Sequence, residues 1–274
     1  MVTRCISGAV LVVIALVTIL SGGYILAGTL LVISCIGFFE LSKACKVHTD
    51  KIDALEIVCY LAIFAFYGIT VFLSDDTLVL LWAVLFFLCV MGVYVFTFPK
   101  YQANQIMAAY FCVLYAPVMF SFIYRIRMTE YGIYLVWMVF IASWISDTFA
   151  YFTGVLLGKH KLAPVLSPKK SIEGSIGGVV GSALAGALFG YLFAAKVGQE
   201  VNLIVLCAVL GALGSIISQI GDLAASAIKR NQDIKDYGTL IPGHGGIMDR
   251  FDSVIVTAPI IYFLVYYFVE WSSI

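Results

Sequence analysis

The sequence has few charged residues for its length. Only 12% of its 274 residues are Asp, Glu, Lys or Arg, against roughly 25% in soluble domains. The 16 basic residues balance the 16 acidic ones, so the overall charge points to no polyanionic partner, and we expect no nucleic-acid binding. Hydrophobic residues make up 62% of the chain, which excludes an ordinary soluble domain.

The sequence also lacks the cysteine and histidine patterns of common metal or disulfide sites. Its seven cysteines lie mostly inside apolar segments, at neither metal-like nor disulfide-like spacing. This distribution is typical of small packing residues. The polar loops hold no Cys/His ligand pairs, so zinc is not expected.

Long apolar segments dominate the chain instead. A helix needs about 20 mostly apolar residues to cross a bilayer. Nine segments qualify, the first of them short: residues 5–20, 22–41, 55–73, 77–98, 106–123, 133–157, 175–195, 201–222 and 253–270. Because lipid offers no partner for unpaired backbone groups, we predict an all-α polytopic membrane protein with about nine transmembrane helices. No clean cleavage site follows the first segment, so we expect a retained helix rather than a signal peptide.

Lysine and arginine concentrate on alternate loops. With nine spans, all but three of the 16 Lys and Arg residues fall on one side of the membrane. Loops rich in Lys and Arg stay in the cytoplasm, which predicts a cytoplasmic N-terminus and a C-terminus outside. The polar loops 158–174 and 229–252 would then both face the cytosol.

The two parts of the chain differ in composition. Residues 1–132 read as generic apolar helices for packing and dimerisation, about five spans in all. Residues 133–274 hold most glycine clusters and, on this interpretation, all carboxylates at membrane edges, so we assign the functional site to them. The segment GGVVGSALAGALFG (177–190) has small residues at helical spacing, which predicts close helix packing within the fold or between subunits.

Three carboxylates lie near the cytosolic ends of the last two predicted helices. Asp222, Ser226 and Lys229 are spaced i, i+4, i+7 and share one helix face. Asp249 and Asp252 follow at i, i+3, where they could also simply cap a helix. Asp222 could likewise form a structural pair with Lys229 or Ser226. Because a membrane-edge carboxylate is costly unless paired or bound to a cation, we predict the three aspartates as Mg²⁺ ligands, with substrate phosphates completing the shell.

The loop IPGHGGIMDRFDS (241–253) connects these helices. Its glycines offer backbone N–H groups that suit phosphate oxygens, and it leads into a helix N-terminus, which favours anions. Basic side chains nearby suit a polyphosphate. The candidate substrate-binding residues here are Ser226, Arg230, Lys235, His244, Gly245, Gly246 and Arg250, with Lys229 beside them. His244 could equally brace the turn.

The second basic loop, GKHKLAPVLSPKKSIEG (158–174), adds candidates for substrate binding. These are Ser167, Lys169, Lys170 and Ser171. Such a loop can also be only a topology determinant or a patch for anionic lipid. We expect Glu173 to support the metal ligands, and Asp147, inside a membrane span, either to support them or to pair with a lysine.

These segments resemble a known family. The residues Ser226, Lys229-Arg230, Lys235-Asp236, Gly238, Pro242, His244-Gly245-Gly246, Asp249-Arg250 and Asp252 resemble the signature of bacterial phosphatidate cytidylyltransferases, CDP-diacylglycerol synthases of the CdsA type. SDTFAYFTG and SPKKSIEG upstream also look like family segments, with Ser171 where many members have Thr. Residues before about 130 match this family only in hydropathy.

The resemblance implies an activity: transfer of CMP from CTP to phosphatidic acid, giving CDP-diacylglycerol and pyrophosphate for phospholipid biosynthesis. It implies catalytic roles for Asp222, Asp249, Asp252 and Lys229. It further implies Mg²⁺, admits a second, monovalent cation such as K⁺, and implies a homodimer. The expected location is the bacterial cytoplasmic membrane, among membrane lipids, with the active site facing the cytosol.

Other functions fit the sequence less well. A CDP-archaeol synthase or a polyprenol kinase would also combine CTP with a membrane lipid, and labelled CTP with lipid extracts would separate these. An ion-coupled transporter would need charged groups near the bilayer middle and on both sides, whereas here they cluster on one side. A non-catalytic lipid-binding scaffold is the last alternative.

Overall fold

The computed structural model describes residues 2–48, 51–196, 202–243 and 245–270. Within these ranges the chain forms nine long helices and one β-hairpin. With short 3-10 and π-helical turns included, the helices are α1 (Val2–Ser21), α2 (Gly23–Ala44), α3 (Ala54–Leu73), α4 (Asp76–Phe96), α5 (Ala103–Arg127), α6 (Gly132–Leu157), α7 (Ile172–Lys196), α8 (Leu203–Asn231) and α9 (Met248–Phe268). The hairpin strands are β1 (Lys161–Ala163) and β2 (Ser167–Ser171).

Eight of these helices, α2 to α9, are long and apolar enough to cross a membrane. The predicted fold class is therefore confirmed, and the chain is an all-α, multi-pass membrane protein. The first predicted span lies in α1, whose described apolar part, Ser7–Ser21, is shorter than the other eight. The cytoplasmic N-terminus and the outside C-terminus stay predictions.

Short polar side chains begin several of these helices. The side chains of Asp53, Asp75 and Ser171 accept backbone N–H groups from the first turns of α3, α4 and α7. The first turn of a helix leaves N–H groups without helical partners, and these caps satisfy some of them. The starts of three spans thus follow from local sequence.

Contacts divide the chain into two compact units. The first consists of Met1–Tyr124 and Gln232–Arg250, and the second of Arg125–Asn231 and Phe251–Ile274. The change between units near residue 125 lies close to the boundary predicted at 132. The loop 232–250, which the sequence grouped with the second half, packs with the first unit.

Buried aromatic and aliphatic side chains form the core of the first unit. Phe38 of α2, Phe66 of α3 and Phe120 of α5 are almost completely buried. Cys59 and Cys112 are buried with them, and the free cysteines are Cys35, Cys45, Cys59, Cys89, Cys112 and Cys207. The interpretation as packing residues fits the buried Cys59, Cys112 and Cys207, whereas Cys89 is exposed.

Glycines hold the helices of the second unit close together. A Cβ atom on Gly186 or Gly190 of α7 would run into backbone carbonyls of α8, and one on Gly178 would meet the backbone of Ser146 in α6. Helices without bulky side chains can approach until their backbones touch, which favours association inside a membrane. The close packing predicted for 177–190 is confirmed, and it occurs within the fold.

Residues 158–174, predicted as a loop, contain an antiparallel β-hairpin. Lys161 pairs with Ser171 and Ala163 pairs with Ser167. The hairpin leads directly into α7, whose first residue follows β2. The basic side chains of this segment are therefore attached to a folded element.

Candidate active site

An ion pair joins the hairpin to α8. The Nζ atom of Lys170, in β2, contacts the Oδ2 atom of Asp222, and both side chains stay partly exposed. The sequence suggested Lys229 or Ser226 as a structural partner for Asp222, and the structure shows a partner from the other basic loop. Lys170 thus lies beside one of the predicted catalytic carboxylates.

Three carboxylates of the second unit lie close enough to repel one another. Asp222 acts electrostatically on both Asp147 of α6 and Asp252 of α9. Lys170 attracts Asp147, and Lys229 attracts Asp252. A π-helical turn, Ile141–Ile145, ends just before Asp147, and such turns are frequent at functional sites. Three acids beside two lysines form a setting that suits both a cation and a phosphate.

Whether this cluster suits a metal ion depends on how many protein ligands the metal requires. Among the described residues, no group of three or more His, Cys, Asp and Glu side chains is arranged to hold a metal. Mg²⁺ does not require such a cage, because it is usually bound by one or two carboxylates together with water and substrate phosphates. Asp252 is buried, with only 9% of its surface exposed, and burying a carboxylate beside other acids favours a nearby cation. The cluster therefore suits Mg²⁺ better than a metal held by protein alone.

A cavity of about 440 Å³ opens in the second unit beside the same residues. Its charged and polar lining side chains are Asp147, Tyr151, Lys161, Lys169, Lys170, Ser171, Ser175 and Gln219. Three lysines around one opening suit an anion with several phosphates. The structure thus brings Lys169, Lys170 and Ser171 to one cavity, as expected for residues that bind one substrate.

A polar network supports one wall of this cavity. Ser175 donates a hydrogen bond to Gln219 Oε1, and Gln219 Nε2 donates to the backbone oxygen of Ser175 at 3.2 Å and to Ser215 Oγ at 3.3 Å. The Ser215 and Ser146 hydroxyls lie 2.7 Å apart. These residues are not among the predicted site residues, although Gln and Ser within apolar spans are a signal for such networks.

Glu173 holds the base of the hairpin. Its Oε2 atom accepts the backbone N–H groups of Lys159 at 3.1 Å and His160 at 3.2 Å, and its Oε1 atom lies 2.6 Å from His160 Nδ1. These contacts lie outside the carboxylate cluster. The structure gives Glu173 a role in orienting the hairpin that carries Lys169 and Lys170.

Asp249 braces the glycine loop of the first unit. Its Oδ2 atom accepts the backbone N–H of Tyr237 at 2.8 Å and that of Gly246 at 3.0 Å, and only 8% of the residue is exposed. Both N–H groups belong to the loop before α9, so these bonds brace the loop, and the roles of helix cap and metal ligand stay predictions. The N–H of Gly246 is engaged by Asp249, so its predicted contact to phosphate would have to displace this bond.

Glu40 of α2 holds the same loop from the other side. Its Oε1 atom accepts the N–H of Ile247 at 3.0 Å and its Oε2 atom that of Met248 at 2.9 Å. Only 4% of Glu40 is exposed, and a Cβ atom on Gly238 or Gly246 would collide with its carboxylate. The interpretation that all membrane-edge carboxylates lie after residue 133 is therefore wrong. A lone acid in an apolar span is itself a functional signal.

A polar cavity of about 600 Å³ lies along the loop in the first unit. It is lined by Lys235, Asp236, Gly238, Thr239, Ile241, Gly243, Gly245 and Arg250. Gly243 and Gly245 have φ angles of 78° and 85°, a left-handed conformation that glycine adopts at no steric cost. The structure brings Lys235, Gly245 and Arg250 together, while His244 lies outside the described residues.

Comparison with known proteins identifies the family of this chain. The sequence profile of the Cytidylyltransferase family matches residues 2–268. The chain belongs to this family. Phosphatidate cytidylyltransferases from Bacillus subtilis (strain 168) and Staphylococcus aureus (strain COL) are 34% and 35% identical to it over 152 and 158 residues. The matched region covers 55% and 57% of this chain and 55% and 58% of those relatives, so the chain spans little more than half their length.

The remaining predicted site residues of this cytidylyltransferase-family chain lie on the elements already described. Ser226, Lys229 and Arg230 occupy the last turns of α8, and Ser167 begins β2. Ser171 caps α7, with its Oγ atom 3.1 Å from the N–H of Gly174. Its hydroxyl therefore has a structural task as well as a place in the cavity wall.

Proposed function

We propose that the protein transfers CMP from CTP to phosphatidic acid and so makes CDP-diacylglycerol and pyrophosphate. The observation that carries this proposal is the pairing of Lys170 with Asp222 beside Asp147 and Asp252. A basic group and several acids at the end of membrane helices suit a reaction between a nucleotide and a lipid phosphate. Family membership and the curated names of the relatives support the same reaction.

The reaction requires positioning and charge neutralisation more than proton transfer. The phosphate of phosphatidic acid is already ionised, so one of its oxygens can attack the α-phosphorus of CTP directly. A new P–O bond forms as the bond between the α-phosphorus and the bridging oxygen breaks, and pyrophosphate leaves with that oxygen. Such transfers depend on in-line alignment and on offsetting negative charge.

The residues of the second unit divide these tasks. Lys161, Lys169 and Lys170 would hold the triphosphate in the cavity that they line. When the triphosphate binds, Lys170 would exchange its contact with Asp222 for one with phosphate. Lys229, whose charge acts on Asp252, would favour the ionised form of that buried acid.

Mg²⁺ belongs to the proposal as a cofactor. Asp222 and Asp252 would hold it, with Asp147 beside them, and the assignment of Asp249 as a further ligand stays a prediction. Bound Mg²⁺ would neutralise charge on the reacting phosphates. A monovalent cation such as K⁺, a homodimer, and an active site on the cytosolic face of the bacterial cytoplasmic membrane complete the proposal.

The test is an assay with purified protein in detergent. We expect CTP, dioleoyl phosphatidic acid and Mg²⁺ to give CDP-diacylglycerol and pyrophosphate in equal amounts. Polyprenol and archaeal-type ether lipid phosphate replace the lipid in parallel reactions. Product from either of these, with none from phosphatidic acid, would reassign the substrate, and no product from any lipid would refute the proposal.

A further inference from the structure

The largest cavity described in the first unit has not been assigned a ligand in the proposed reaction. Its volume is about 1040 Å³, at the upper end of the ~300–1000 Å³ typical of small-molecule sites. Its walls are the last turns of α2, part of α3 and the segment 232–240. It shares no lining residue with the lysine-lined cavity of the second unit.

The wall formed by α2 changes from apolar to basic along the helix axis. Ile36, Phe39 and Lys43 line the cavity, and their spacing places them on one face of the helix. At 1.5 Å per residue, Ile36 and Lys43 are about 10 Å apart along the axis. Lys46 and Lys235 add two more basic side chains to the lining. The cavity therefore offers an apolar surface within a membrane span and ammonium groups at the end of that span.

The acids in the lining do not cancel this pattern. Both carboxylate oxygens of Glu40 accept backbone N–H groups from the loop, and only 4% of the residue is exposed, so the loop already engages this carboxylate. Asp236 is exposed and also lines the polar cavity along the glycine loop. The lining of the cavity thus has three lysines and only one exposed acid.

We infer that this cavity binds a membrane phospholipid through an anionic phosphate head group. The phosphate would contact Lys43, Lys46 and Lys235, and the glycerol and upper acyl chain would lie along Ile36 and Phe39. A water-soluble nucleotide would leave the apolar wall unused, since Phe39 is 38% exposed and Leu240 57% exposed. The identity of the lipid as phosphatidic acid rests on the proposed function.

The experiment measures lipid binding without CTP, so it does not depend on the transfer reaction. Fluorescent phosphatidic acid is titrated into the whole protein in neutral detergent micelles. Each of Lys43→Ala and Lys46→Ala should weaken binding about fivefold, because an exposed lysine contributes about that factor to its attraction for an anionic lipid head group. Ile36→Trp changes no charge, but its larger side chain should occupy part of the cavity and weaken lipid binding at least as much. The matched control is Lys51→Ala, an exposed lysine outside the cavity lining.

Two further probes identify the ligand. Equal weakening for fluorescent phosphatidylglycerol would support a general anionic-lipid site, and weakening for phosphatidic acid alone would support a site for the acceptor substrate. A lipid-binding wild-type protein that forms no CDP-lipid would refute the proposed function and leave this inference standing. Wild-type lipid affinity in all three cavity variants would overturn the inference, as would variants that lose CTP affinity while keeping lipid affinity.

Discussion

Replacing Glu40 by glutamine should loosen the loop that carries Gly246 and Asp249. The carboxylate accepts two backbone N–H groups, those of Ile247 and Met248, at 3.0 and 2.9 Å. Glutamine keeps one acceptor oxygen but places an NH₂ group opposite the other N–H. The change removes one charge-assisted hydrogen bond and leaves a buried donor unsatisfied.

The size of this effect follows from the burial of the site. A hydrogen bond to a charged group contributes about 1.5–3 kcal/mol. Removing a buried charge also recovers part of its desolvation cost, so the lower end of that range applies. Since about 1.4 kcal/mol is a factor of ten, protection of the Ile247 and Met248 amides against hydrogen exchange should fall about tenfold. The catalytic efficiency of the proposed transfer should fall by a similar factor.

Hydrogen exchange of segment 237–248, followed by mass spectrometry in detergent, measures the first effect directly. The matched control is Glu56→Gln, because Glu56 is equally buried in the same unit and pairs with His48 at 2.7 Å instead of with the loop. Gly246→Ala, whose Cβ would meet the Glu40 carboxylate, should reproduce the loss of protection. If Glu40→Gln leaves hydrogen exchange at Ile247 and Met248 unchanged, Glu40 does not hold the loop. An equal loss of protection at these amides in Glu56→Gln would contradict the prediction as well.

Three further predictions concern the second unit. Asp222→Asn and Asp252→Asn should each lower CDP-diacylglycerol formation at saturating Mg²⁺ at least ~100-fold. The thermal unfolding midpoint of each variant in detergent should stay close to that of wild type. Near-normal turnover in either variant would contradict the metal assignment. Lys170→Ala should lower kcat/KM about ten- to a hundredfold in neutral micelles. Lys169→Ala should lower it by less, because Lys170 is the lysine of this pair that contacts Asp222. Equal effects would show that this contact does not matter for catalysis. Position 165 lies in the exposed turn of the hairpin. A single cysteine placed there, in a cysteine-free background, should react with an impermeant thiol reagent only from the cytosolic side of membrane vesicles. Labelling from the outside would reverse the predicted topology.

The membrane helices could be predicted from the sequence because hydrophobicity is a local property. A run of about 20 apolar residues has one stable structure in lipid, and caps such as Asp53 and Asp75 mark helix starts in the sequence itself. The glycine spacing of 177–190 likewise depends only on helical periodicity. These features need no knowledge of which helices are neighbours.

The arrangement of the candidate site required the tertiary structure. Lys170 reaches Asp222 because residues 158–174 fold back as a hairpin, and the sequence did not distinguish that hairpin from a loop. Glu40 lies more than 200 positions before the amides it holds, and one acid in an apolar segment does not reveal its partner. The sequence offered a metal ligand or a helix cap for Asp249, and neither pattern reveals the loop N–H groups of Tyr237 and Gly246 that its side chain accepts.

The glycine contacts of α7 have a consequence for how the protein is assembled in the membrane. Lipid tails are as apolar as the helix surfaces, so helices associate there through close packing and polar contacts rather than through the hydrophobic effect. The helices α6, α7 and α8 are consecutive in the chain and meet through backbone contacts at Gly178, Gly186 and Gly190. They can therefore assemble as soon as α8 has been inserted, before α9 is synthesised. At that stage Lys170 would already pair with Asp222, so the bilayer would receive a neutralised carboxylate rather than an isolated charge.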